Sequence, residues 1–152
     1  MRSLSGVPPQ WEQLVDDEDG LVVVELDAAA AEGAPWDGLG VQLVVTVSLQ
    51  DPDPEGQPYD EEHAALARWR AALEAALGDS GRLVATLTAD GVREHVAYVR
   101  DEAVVTAWQT APPPGLGTHD SQVVLVADPA WLGLREIAGL LGPDEEPLVL
   151  PV

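Results

Sequence analysis

The chain has 152 residues, 27 of them Asp or Glu against seven Arg and no Lys, a net charge of −20, and no cysteine. That balance excludes binding driven by nucleic-acid phosphates or anionic lipid, since both need basic side chains to replace counterions. The missing cysteine excludes disulfides, thiolate metal sites and thiol nucleophiles, and fits a reducing compartment.

The length suits one domain over residues 1–152, able to bury roughly 70% of its unfolded surface without staples. The opening Met1 to Gly6 runs into Pro8-Pro9 instead of an apolar run, so no signal peptide is expected. No apolar stretch approaches the roughly 20 residues of a membrane span. The expectation is a soluble, cytoplasmic protein.

Residues 1–39 read as an N-terminal extension with no pattern before the acidic run at Asp16, then a short strand at about 21–26. Ala28 to Gly40 reads as a loop or short helix around Trp36. Val41, Leu43, Val45, Val47 and Leu49 alternate, so one face of a strand is buried there. A Pro/Gly/Asp loop follows, and Asp60 is the expected cap of a helix whose Leu66, Trp69, Leu73, Ala76 and Leu77 form one stripe. Arg70 and Glu74 are spaced to meet on its surface.

Two strand-like runs, Arg82 to Ala89 and Val92 to Arg100, flank Asp90-Gly91, the pair that a type I′ hairpin favours. An unbroken ladder from that turn pairs Ala89 with Val92, Thr86 with His95 and Leu83 with Tyr98. It puts Leu83, Ala85, Leu87, Val96, Tyr98 and the charged Glu94 on the core face. Val84, Thr86, Thr88, Arg93, His95, Ala97 and Val99 fall on the other. Asp101 is expected to cap a short helix through Trp108, stopped by Pro112-Pro113-Pro114. Ser121 to Ala127 is a strand, and Asp128-Pro129 opens a helix bearing Trp131, Leu134 and Ile137. The tail from Pro143 is expected to be extended.

From 40 to 127 the order is β-α-β-β-α-β, which predicts an α+β, ferredoxin-like sandwich with two helices on one face of an antiparallel sheet. The other face, with Arg93, His95, Thr86 and Thr88, would be open. The N-terminal strand and the C-terminal segment 128–152 could extend the sheet or cover it.

The run Asp90-Gly91-Val92-Arg93-Glu94-His95-Val96-Ala97-Tyr98 resembles the hairpin of the bacterial family of unknown function numbered 695 (DUF695). The Asp51-to-Gly56 loop, the Pro58-Tyr59-Asp60-Glu61-Glu62 entry to the helix, and Asp128-Pro129-Ala130-Trp131 support the resemblance, which spans about residues 40 to 138. It implies a ferredoxin-like core similar to the regulator of ribonuclease activity B, which acts by binding protein. It implies no activity, cofactor or catalytic residue. His95 departs from the family's tendency to an aromatic or aliphatic residue there.

Three candidate sites stand out. Arg93, Glu94, His95 and Tyr98 are the first, a binding surface whose members divide between two faces. Trp36, in an irregular stretch, is a candidate interface anchor. Asp51, Asp53, Glu55 and Glu62 match parts of a calcium loop, although the loop follows a strand and carries Pro52 and Pro54. His63, His95 and His119 lack metal-ligand spacing, and no catalytic motif is present. The reading favoured over a cation-dependent enzyme is a non-catalytic module without cofactor that binds a protein, with a basic protein as the expected partner. A homodimer through the open sheet is the third reading.

Overall fold

A computed structural model of the chain describes residues 7–16, 21–33, 36, 38–78, 81–100 and 121–139. Among these lie strands β1 (Trp11–Asp16), β2 (Val22–Asp27), β3 (Val41–Ser48), β4 (Gly81–Ala89), β5 (Val92–Val99) and β6 (Ser121–Ala127). The helices are α1 (Ala28–Gly33), α2 (Asp60–Leu77) and α3 (Leu132–Gly139). The strands form one antiparallel sheet in the order β1-β2-β4-β5-β3-β6.

The fold is ferredoxin-like α+β. Strand β5 lies between β3 and β4, so the β3–α2–β4 crossover is split by an antiparallel strand, as that arrangement requires. The extra strand β2 adds to the β4 edge, and β1, an N-terminal strand that no sequence pattern announced, adds outside it. The expected helix near 101–108 and the tail from 143 lie outside the described residues.

At the β4–β5 turn both Asp90 and Gly91 have positive φ, 53° and 79°, as a type I′ turn demands. Ala89 pairs with Val92 and Thr86 with His95, but the ladder slips between Leu83 and Ala85. Leu83 therefore pairs with Ala97 and not, as expected, with Tyr98. A bulge inserts one residue and moves every side chain beyond it to the other face. Leu83 joins the core beneath α2, while Val84 and Ala85 join the opposite one.

Both faces are covered: the C-terminal helix α3 helps to close one, and the face with Arg93 and His95, expected to be open unless a spare piece covered it, lies beneath α2. Leu66, Trp69, Leu73 and Leu77 of α2 pack on Leu43, Val45, Val47, Leu83, Ala97 and Val99. On the reverse, α1 and α3 pack Ala30, Ala31, Leu134 and Ile137, with Trp36 and Trp131, over Val24, Leu26, Val84, Val96 and Tyr98. The α2 stripe is narrower than the spacing suggests, because Ala76 is exposed. The helix starts at Asp60, the residue expected to cap it: Tyr59 is the N-cap and offers no side-chain bond. Asp60, Glu61 and Glu62 then occupy the first turn, where the helix dipole favours negative charge. Arg70 meets Glu74 as the spacing suggested, at 3.3 Å.

One buried ion pair ties the N-terminal hairpin to the sheet. Asp27, fully buried at the end of β2, takes Arg82 Nε at 3.0 Å and Nη2 at 2.7 Å on Oδ2. Its Oδ1 accepts from Gln10 N at 3.1 Å and from Ala30 N at 3.3 Å, which caps α1. A paired buried charge contributes little net, but removing one partner strands the other. Arg82→Ala should therefore cost about 3–5 kcal/mol in urea unfolding. Truncating the exposed Arg68 the same way should cost under about 0.5 kcal/mol.

Candidate functional site

The pairing register lays polar side chains across the sheet beneath α2. Glu25 of β2 faces Thr86 of β4, which faces His95 of β5. The next rung brings Thr88 opposite Arg93. All point toward α2, because they alternate with Val24, Leu26, Val96 and Tyr98 on the reverse face. Thr86 Oγ1 and His95 Nδ1 lie 2.9 Å apart, and Arg93 Nε donates to Thr88 Oγ1 at 2.8 Å. Trp69 stacks on the His95 ring with centroids 5.3 Å apart and planes within 8°. Arg70, the next residue on α2, pairs with Glu25 and lies over the Trp11 ring at 4.2 Å.

His95 has no solvent exposure, and its Nε2 has no hydrogen-bond partner among the described residues. Burial, then the charges of Arg93 and Arg70, push its pKa down to about 3. The imidazole is therefore neutral at pH 7 and shut away from any substrate. Burial also lowers the Arg93 pKa, with Glu25 opposing, but a guanidinium keeps its charge.

Tyr98 anchors a second polar group on the reverse face. Its hydroxyl donates to Asp128 Oδ2 at 2.7 Å and accepts from Leu134 N at 3.3 Å. Burial first, then Asp128, raise its phenol pKa above the ordinary range. Asp128 also accepts from Leu132 N and Gly133 N at 2.8 and 2.9 Å, so it caps α3 as the Asp-Pro pattern suggested. The helix itself begins at Leu132, beyond the expected proline start. Trp131, at φ 58°, stacks on Tyr98 with centroids 3.9 Å apart and donates from Nε1 to Leu39 O at 2.8 Å.

The candidate binding residues are thus not one surface. Arg93, His95, Tyr98 and Trp36 are buried, and only Glu94 is exposed. Glu94 was expected among core side chains; it escapes because it sits near the turn. Trp36 is a core residue and no exposed anchor: its indole donates to Ala30 O at 2.8 Å.

The 51–62 loop folds on itself. Asp53 Oδ1 accepts from Glu55 N and Gln57 N at 2.8 and 2.9 Å, and Gly56 N donates to Asp53 O. Glu62 reaches back to Gln50 N and Asp51 N at 2.5 and 3.1 Å. These carboxylates serve backbone N–H groups, and among the described residues no three Asp, Glu or His gather as a metal cage would need. The loop docks on the hairpin turn through Gly91 N to Gly56 O at 3.0 Å. Beside it, an open groove of about 770 Å³ is lined by Asp51, Asp53, Tyr59, Asp60, Glu61 and Glu62.

A family model described as a family of unknown function, DUF695, matches residues 10–136. The chain belongs to DUF695. No curated protein and no solved structure matches it. Within this DUF695 chain, no helix among the described residues is long and apolar enough to cross a membrane.

Sequence reasoning overlooked Asp27, Arg82, Glu25 and Arg70 as a set. Asp27 did carry a local signal, an N-cap residue standing before four alanines. Its arginine lies 55 residues away and no local signal points to it.

Because His95 is neutral when folded and gains a proton near pH 6.5 when unfolded, its contribution to stability is present above pH 6.5 and is lost as the pH falls toward 3. Between pH 7 and 5 the loss should be on the order of 2 kcal/mol. His95→Phe should flatten that slope in urea titrations at each pH; an unchanged slope would overturn the assignment.

Proposed function

We propose that the protein is a non-catalytic binding module that docks a basic protein partner in the cytoplasm. The observation supporting this reading is where the exposed charge sits. Asp51, Asp60 and Glu61 stand exposed along the groove at the start of α2, next to the exposed ring of Tyr59. All three belong to a chain of net charge −20. A tyrosine among carboxylates offers apolar contact beside charges that attract arginine and lysine. Like-charged partners and nucleic acid are repelled from the same surface. The buried histidine and tyrosine belong to the scaffold that holds this groove.

The partner is captured on immobilised protein at low salt, then titrated calorimetrically at rising NaCl. The affinity should fall steeply with ionic strength, since exposed charges act over a Debye length of about 8 Å at physiological salt. Reversing Asp60 and Glu61 to Lys should weaken binding about tenfold or more while leaving the melting temperature within a few degrees. Salt-independent affinity, or indifference to the reversal, would sink this reading.

A further inference from the structure

The sheet has two outer strands, and they differ. The outer strand β1 carries Glu12 and Asp16 and follows Pro8-Pro9, features that discourage another strand from pairing. At the opposite end β6, Ser121-Gln122-Val123-Val124-Leu125-Val126-Ala127, has no charge, no proline and no glycine, in a chain that is 22% charged. Its inner flank pairs with β3 over seven residues from Ser121 to Ala127, and among the described residues no strand meets its outer flank.

Its side chains are unevenly used. Val123 and Leu125 pack against the core beneath α2. Val124 and Val126, on the reverse face, are 51% and 47% exposed. Two β-branched residues half exposed beside a row of backbone donors and acceptors that no strand among the described residues meets make a template for one more strand.

We propose that β6 is a self-association edge, where a second copy of this chain adds its own β6 antiparallel and joins the two sheets. Charge selects this occupant. A basic partner finds no carboxylate on β6 and is drawn to the acidic groove at α2. Two copies of net charge −20 repel each other over most of their surface and approach most easily at an uncharged strand. A two-fold axis supplies the complement automatically. Centred on Leu125, it sets Val124 of each copy beside Val126 of the other, a cross-strand apolar pair made twice. The contact is small, so the dimer is reversible, and it is independent of the basic-partner reading.

The test is sedimentation velocity on the full chain over a concentration series at low and high NaCl. A monomer–dimer equilibrium is expected, with the dimer favoured by added salt, the opposite of the salt effect on a basic partner. Val124→Glu should raise the dimer dissociation constant at least about tenfold with an unchanged melting curve, since the side chain is half exposed. Val126→Lys is the second variant should the first misfold. Val15→Glu, at the 61% exposed position on β1, should leave the dimer intact. Backbone amides of β6 should exchange more slowly as concentration rises. A monomer at every concentration and salt, a dimer indifferent to both β6 variants, or one lost equally on Val15→Glu would overturn the proposal.

Discussion

A sheet covered on both faces has no side on which to hide a polar group cheaply. Every strand residue between α2 and the α1–α3 layer must be apolar or find a partner inside, because an unpaired buried donor or charge costs several kcal/mol. The buried polar side chains obey this constraint in pairs. Asp27 meets Arg82, Tyr98 meets Asp128, Thr86 meets His95, and Thr88 meets Arg93. Each pair joins segments distant along the chain or adjacent across the β4–β5 ladder. The pairs therefore fix which pieces lie together as well as satisfying their own atoms. His95 Nε2 is the exception among these atoms, and it marks the place where burial of a titratable ring couples folding to pH.

The same economy leaves chemistry to the outside. Residues with the most reactive appearance in the sequence, a histidine beside an arginine and a tyrosine, are spent on holding strands and helices together. What faces solvent around the groove at the start of α2 is largely carboxylate. Around the start of α2 that carboxylate is partly shaped by function-neutral needs: Glu62 closes the 51–62 loop, and the acidic first turn suits the helix dipole. Asp60 and Glu61 remain free to act at long range on whatever approaches.

Much of the core was legible in local pattern. Alternation announced β3, spacings of three and four announced the Leu66, Trp69, Leu73 and Leu77 stripe, and Asp90-Gly91 announced the hairpin with its turn type. Asp128 announced the cap of α3. The candidate site was less legible. Arg93 and His95 were read as facing solvent because two threonines, an arginine and a histidine on one side of a hairpin resemble a wet face. Pairing by Thr86 and Thr88, and cover from Trp69, turn that side into a core, and Trp69 lies more than twenty residues from His95 in the chain. Strand β1 lacked any signal, since its alternation is interrupted by Glu12 and Gln13 and an outer strand needs no apolar stripe.

By itself, then, the amino-acid sequence determined the strands and the long helix of the core, the hairpin turn, the ferredoxin-like order of the strands, and the strongly negative charge. These follow from local dihedral preferences, periodicity and composition, all of which act within a few residues. Only the tertiary structure decided which side of the sheet each side chain occupies and what lies over it. The slip between Leu83 and Ala85 exchanges the two faces of β4, and α1 and α3 close the face that four core strands alone would leave bare. Such choices depend on cross-strand register and on packing between segments far apart in sequence, where a one-residue shift reverses every orientation.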